Sequence, residues 1–270
     1  MRGGLMRVVA GFDRNDRKLG FNFAAMMLRD RFLGTGLGTL WAILQPASLI
    51  GVYVIVFSYL FKSRLPENPD SDLAFVIWLV SGYGPWLAIN EGLMSGANAV
   101  TGQSNLVKNM AFKTELLPIS ASLLGFVPLL VSVGILTGLI ILDGREPDIT
   151  WSIIPLVLVL QMTFVAGLGL MLGAINVFIR DLTLALPTIL TVLLFLSPVF
   201  YPITLFPEPL QPYVQWNPIY VIANGYRAPI AYGEFPPWWQ LVYLAVLAVV
   251  TYTLGLAYFR TVKNYFHGRL

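Results

Sequence analysis

Apolar positions in this chain run in long, nearly unbroken blocks rather than in the alternations of a soluble helix or strand. Six blocks, at about 39–61, 73–100, 116–142, 151–179, 183–203 and 238–259, each reach the roughly 20 residues a helix needs to cross a bilayer. They predict six transmembrane helices. The third and fourth meet at the polar turn Asp143-Gly144-Arg145-Glu146-Pro147-Asp148, a strong breaker. The second and fourth exceed the hydrocarbon thickness, so they tilt or project beyond it. Pro85, Pro128 and Pro155 fall inside blocks, where neighbouring helices must satisfy the freed carbonyls.

Two segments depart from this pattern. From Asp13 to Leu33, Leu19, Phe23, Met26 and Met27 group on one side of a helix and Arg14, Lys18, Asn22 and Arg29 on another. Phe21, Leu28 and Phe32 blur the division. The spacing predicts a basic amphipathic helix in the headgroup layer, with a loosely ordered basic tail as the alternative. No short apolar core follows Arg2, so the segment is not read as a cleavable leader. The second segment, 202–237, is long for a loop and too broken for a span. Nine of the chain's 18 prolines lie between Pro198 and Pro237, together with Phe206, Tyr213, Trp216, Tyr220, Tyr226, Trp238 and Trp239. Aromatic residues favour the membrane interface, so short re-entrant helices are predicted, against a floppy loop. The expected fold is all-α and polytopic: a basic arm over 1–34, then a six-span domain over 35–270.

Composition agrees with this and removes several classes. The 270 residues are 57% hydrophobic and 11% charged, with a mean hydropathy of +0.72. Soluble domains carry about 25% charge, so an ordinary cytosolic enzyme and a disordered regulator are excluded. There is no cysteine, which removes disulfides and thiolate metal sites. The net charge of +3 matters through its placement and points to membrane lipid rather than nucleic acid. Thirteen of the 17 Lys and Arg fall on one side of a six-span arrangement. They are Arg2, Arg7, Arg14, Arg17, Lys18, Arg29, Arg31, Lys108, Lys113, Arg180, Arg260, Lys263 and Arg269; Lys62, Arg64, Arg145 and Arg227 fall on the other. Both termini are therefore expected in the cytoplasm, with the acidic loops 67–72 and 143–148 outside.

Chemistry is sparse. No G-x-x-x-x-G-K-[ST] stretch occurs to cradle nucleotide phosphates, and no H-E-x-x-H or G-x-S-x-G. No metal ligand set and no catalytic residue are assigned; the single histidine, His267, reads as a solvated tail residue. Asp70-Ser71-Asp72 has the D-x-D form of some glycosyltransferases, on the wrong side for nucleotide sugars. Glu91 is the one clear intramembrane carboxylate, a default functional candidate; it either meets interfacial water or pairs with an arginine of the N-terminal helix. A single buried carboxylate cannot drive a proton-coupled carrier, so the energy source is expected outside the chain. The pairs Gly34/Gly38, Gly92/Gly96, Gly134/Gly138 and Gly169/Gly173 permit close helix approach. Trp41, Tyr53, Phe57 and Tyr59 in span one, and Phe195, Phe200 and Tyr201 in span five, are candidates to line a path for sugar rings. Plain packing is the alternative for each.

Four stretches carry a resemblance. They are Leu33-Gly34-Thr35-Gly36-Leu37-Gly38-Thr39-Leu40-Trp41-Ala42-Ile43-Leu44-Gln45-Pro46; Phe57-Ser58-Tyr59-Leu60-Phe61-Lys62-Ser63-Arg64; Asn105-Leu106-Val107-Lys108 through Glu115-Leu116-Leu117-Pro118; and Ser197-Pro198-Val199-Phe200-Tyr201-Pro202 with Trp216-Asn217-Pro218 and Tyr226-Arg227. In this order they resemble the membrane subunits of type-2 ABC exporters for polysaccharides, the Wzm-like O-antigen permeases. Where that family commonly has Phe-Pro before the glutamate, this chain has Phe112-Lys113.

The resemblance implies a homodimer in the cell inner membrane, paired with a separate ABC ATPase that binds ATP and Mg; no cofactor belongs to this chain. The N-terminal helix and a coupling loop at about 101–115 would meet the ATPase, through Gln103, Asn105, Lys108 and Glu115. The 202–237 segment would form an outer gate. A lipid-linked polysaccharide would present its pyrophosphate near Arg14, Lys18, Arg29 and Arg31, which otherwise only bind phospholipid. Teichoic acid or capsular polymer as cargo, a polyprenyl-lipid transferase and a small-molecule exporter remain open.

Overall fold

The computed structural model describes residues 12–61, 72–109, 112–146 and 148–269. Every regular element among them is helical. Arg2, Arg7, Lys62, Ser63, Arg64, residues 67–71 of the acidic loop and Pro147 lie outside the described residues, as do the side chains of Asp72 and His267, so the D-x-D reading has no structural counterpart.

Helix α1 is Arg14–Asp30. Its start is fixed by a capping box in which the Asp13 carboxylate accepts from the Asp16 amide (2.8 Å) and Asp16 accepts from Asp13 (2.9 Å). Phe23 and Gly20 are its buried face, while Phe21 is exposed. Helix α2, Trp41–Val54, follows a 3₁₀ turn at Gly38–Leu40 and continues as a π-helical turn, Ile55–Leu60. Then come α3 (Asp72–Gly102), the short α4 (Ser104–Asn109), α5 (Leu116–Ser122) and α6 (Phe126–Leu142). Helix α7 is Ile154–Phe178 and α8 is Leu182–Leu196. The segment before the last helix holds α9 (Gln211–Val214) and α10 (Pro218–Arg227), and α11 is Trp238–Val262.

Five stretches are long and apolar enough to cross a membrane: Gly38–Leu60, Leu73–Gly102, Leu116–Leu142, Ile149–Phe178 and Trp238–Phe266. These match five of the six predicted blocks. The block at 183–203 differs. Its helix has 15 residues and stops at Leu196, about 22 Å of helix at 1.5 Å per residue. Ser197 is extended (φ −104°, ψ 142°), as the residue before a proline prefers, and its hydroxyl donates to the Leu193 carbonyl (2.7 Å). Of the three prolines expected inside spans, Pro85 lies within the continuous helix α3, Pro155 sits at the start of α7 where its missing N–H costs nothing, and Pro128 lies in the first turn of α6.

The bundle is organised around α3. Its apolar window is 83% buried, against 11% for α2, so α3 is the central post and α2 a peripheral helix. Backbones approach closely where side chains vanish. A Cβ on Gly96 would lie 2.9 Å from the Gly169 Cα, and one on Gly173 would lie 2.8 Å from the Gly96 carbonyl. Gly92/Gly96 and Gly169/Gly173 therefore join α3 to α7. Gly134 and Gly138 face open space. Gly34 (φ 78°) and Gly38 (φ 54°) are turn positions with positive φ rather than helix-packing sites, which corrects the reading of that pair. One end of the bundle carries α1, α4 and the C-terminal turn; the other carries the turn at Asp143, Gly144 and Arg145 and the helices α9–α10. These are called the terminal end and the turn end below.

Candidate functional site

At the turn end, the π-helical turn widens the last part of α2, a distortion frequent at functional sites, and the Phe61 amide donates to the Val56 carbonyl (2.9 Å). Phe200 reaches this turn from the irregular stretch after α8. Its ring centroid lies 4.5 Å from Tyr53 and 5.1 Å from Phe57, both stacked, and 5.2 Å from Tyr83 of α3. Tyr53 and Tyr83 are 4.7 Å apart. Phe195 joins at 6.0 Å from Phe200, and Phe61 at 5.7 Å from Phe57. The Tyr201 hydroxyl donates to the Phe195 carbonyl. Of the seven aromatic candidates, the structure gathers Tyr53, Phe57, Phe195 and Phe200 into one cluster with Tyr201 tied to its rim. Trp41 and Tyr59 are exposed and stand apart from it. Phe200 is only 3% exposed, so its ring is the buried centre of the cluster, with Phe195 and Phe61 exposed at its edge. Tyr83 was not anticipated, since its partners arrive from segments far away in sequence.

Beneath Phe200 sits Arg227, the last residue of α10. Its Nε donates to the Trp78 carbonyl (3.2 Å), Nη1 to Pro198 (2.8 Å) and Nη2 to Val199. Its guanidinium covers the Trp78 ring. Gly82 is needed there, because any Cβ would meet this guanidinium. Next to it, the Tyr226 hydroxyl donates to Gln161 Oε1 (2.8 Å), whose Nε2 donates to the Pro85 carbonyl (2.9 Å). The charge count places Arg227 in an outer loop; the structure buries it at 3% exposure, where it fixes the backbone that presents Phe200.

At the terminal end the charges pair across helices. Arg31, capping α1, is bonded to Glu91 of α3, and Ser95 donates to the same carboxylate (2.6 Å). Glu91 is thus a partner of the N-terminal helix. Lys113 pairs with Asp16; the hydrogen bond from Lys113 holds the Asp16 carboxyl below its ordinary value, and the reciprocal bond raises the lysine. Glu115 receives Arg260 Nε (2.8 Å) and Lys263 Nζ (3.1 Å) from the C-terminal helix and turn. Burial works to raise its pKa, but its backbone hydrogen bond and the two cations outweigh that, and the net direction is down.

Arg14, Lys18 and Arg29 are exposed along α1, whereas Arg31 is committed to Glu91. Asn105 and Lys108 are exposed on α4, and Gln103 is half-buried beside it. Glu115 sits apart from these three: it is 1% exposed and faces Arg260 and Lys263 instead of solvent. Among the described residues no group of three His, Cys, Asp or Glu could hold a metal ion.

The family model described as "ABC-2 type transporter" matches residues 22–231, from mid-α1 through the turn after α10. The chain belongs to the ABC-2 type transporter family.

The resemblance drawn from the motifs thus holds at the family level. This ABC-2 chain is 28% identical over 227 residues to the O-antigen export system permease protein RfbA of Myxococcus xanthus, covering 83% of the chain and 84% of that protein. It is 27% identical over 237 residues to the polysialic acid transport protein KpsM of Escherichia coli, at 87% and 89% coverage. A Klebsiella pneumoniae O-antigen export system permease protein RfbA is 20% identical over 243 residues, at 88% and 90%. The ABC-2 match includes the aromatic cluster, the Arg227 anchor and the loop around α4. It ends before α11, which brings the Arg260 clamp onto Glu115.

Proposed function

We propose that this chain is the permease subunit of an ATP-driven exporter that moves a lipid-linked polysaccharide of O-antigen type outward across the cell inner membrane. The carrying observation is the cluster of Tyr53, Phe57, Tyr83 and Phe200. Aromatic faces stack on the C–H faces of sugar rings without fixing one sugar, which suits a sliding polymer. The cluster sits at the turn end, beside the short helices α9 and α10, which act in this reading as the outer gate of a path shared by two copies of the chain. Export then requires Phe200 to separate from Tyr53 and Phe57.

The remaining assignments follow from that orientation. α8 serves as a short sixth crossing, leaving α1 and the C-terminal turn on the cytoplasmic face. A separate ABC ATPase binds ATP and Mg and meets Gln103, Asn105 and Lys108, while Glu115 braces the loop from behind through Arg260 and Lys263. Arg14, Lys18 and Arg29 draw the anionic lipid headgroup to the membrane surface, each basic residue contributing about 1 kcal/mol, and Arg31 locks α1 to Glu91. A capsular polymer is the second reading, favoured by the likeness to KpsM, which nearly equals that to RfbA.

Deleting the gene tests the proposal. Lipid-linked glycan should accumulate inside the cell, and rescue should need both this chain and its ATPase. Unchanged surface glycan refutes it, and the identity of the retained glycan separates O antigen from capsule.

A further inference from the structure

At the terminal end, α3, α7 and α8 part around a cleft of about 450 Å³. Its floor is a fixed polar lattice. The Asn176 amide donates to the Ala97 carbonyl (2.9 Å) and the Thr101 hydroxyl (3.2 Å), the Thr183 hydroxyl lies 2.8 Å from Asn176 Oδ1, and the Asn98 amide donates to the Met94 carbonyl (2.9 Å). Its mouth carries two guanidiniums, Arg180 and Arg269. Arg180 donates to the backbone carbonyl of Arg269 (3.4 Å), and neither side chain forms an ion pair with a carboxylate among the described residues. No acidic side chain lines the cleft.

We infer that this cleft binds the phosphate group of an anionic phosphate ester. Two guanidiniums offer planar, paired donors that match tetrahedral phosphate oxygens. The hydroxyl and amide floor suits an oxygen-rich headgroup better than an apolar one. One flank also suits a lipid: α8 leaves the cleft with Leu184 at 79% and, about two turns on towards the same side, Val192 at 52% exposure, an apolar track on which an acyl or prenyl tail can lie. The site is separate from Arg14, Lys18 and Arg29, and it does not depend on the identity of the cargo.

The test uses the purified full-length chain in a neutral detergent, with phosphatidic acid, phosphatidylcholine and inorganic diphosphate as probes. Phosphatidic acid should bind at least tenfold tighter than phosphatidylcholine. Arg180→Gln with Arg269→Gln should lose most of that preference, leaving only the part that Arg14, Lys18 and Arg29 supply, Arg180→Lys should lose less of it, and Arg145→Gln at the opposite end should keep all of it. Competition by inorganic diphosphate assigns recognition to the phosphate alone. Failure to compete, together with weaker lipid binding in Leu184→Asn, assigns it to a lipid-borne phosphate. Equal phosphatidic acid binding by wild type and the double variant overturns the inference. So does a double variant that loses only its co-purifying ATPase, because the arginines would then face protein.

Discussion

The guanidinium carbon of Arg227 lies 3.8 Å from the ring centroid of Trp78, in a site where three backbone carbonyls take the place of a carboxylate. Stacking on the ring face and charge-assisted bonds to carbonyls are how this buried cation is compensated. The arrangement ties α10 to α3 and to the Pro198–Val199 backbone. Phe200 is held at the aromatic cluster by that anchor.

Replacing Arg227 with Met should leave the Pro198 and Val199 carbonyls short of donors, at roughly 1–3 kcal/mol for each orphaned group, while the Trp78 carbonyl keeps the Ser81 hydroxyl (2.9 Å). Thermal unfolding of the purified chain should show a large loss. Arg227→Lys should fall between, since a lysine keeps the charge but not the planar fork. A Met variant as stable as wild type would remove the anchor role.

Glu115 should make the terminal end sensitive to acid. Its folded pKa lies below the ordinary carboxylate value of 4.5, so its stabilising contribution is full above that unfolded value and is lost as pH falls through the folded one. The gap in thermal midpoint between wild type and Glu115→Gln should be widest near neutral pH and shrink as the pH falls below 4.5 and through the lower folded value. A gap independent of pH would contradict the clamp by Arg260 and Lys263.

The α3–α7 crossing should tolerate no added carbon. Gly96→Ala places a Cβ against Gly169 and Ser122, and such overpacking costs about 1–3 kcal/mol. Gly138→Ala, which meets open space, should be neutral or gain about 0.5–1 kcal/mol in a helix interior. Equal effects in unfolding measurements would mean the crossing is looser than described.

Tyr53→Ala and Phe57→Ala should each slow polysaccharide export without reducing assembly with the ATPase. Each variant removes a ring face on which the sugar stacks, and at about 0.5–1.5 kcal/mol for an aromatic contact roughly two- to tenfold slowing is expected. Normal export in both would remove these rings from the path.

Five membrane-length stretches, the helix α1 and the family were legible in the sequence, because long apolar runs and local motifs encode them. Glu91 was legible too, as an isolated carboxylate with α1 arginines nearby. The end of α8 was misread since apolar composition continues through Val199 and Phe200, although Ser197-Pro198 already breaks the backbone. Arg227 and Glu115 were misplaced for a different reason. Each lies in a stretch that reads as loop, and each is buried only because partners more than 140 residues away (Trp78 for one, Arg260 for the other) fold onto it. Tyr83 escaped notice because its cluster forms from three separate segments, a coincidence no local period records.

The central claim is tested most directly by transport in inverted membrane vesicles that hold this chain, its ATPase and lipid-linked glycan on the outer, cytoplasmic face. The account predicts that ATP, but not a non-hydrolysable analogue, moves the glycan into the lumen and shields it from an added glycosidase. An ATP-hydrolysing complex that leaves every glycan open to digestion would contradict it.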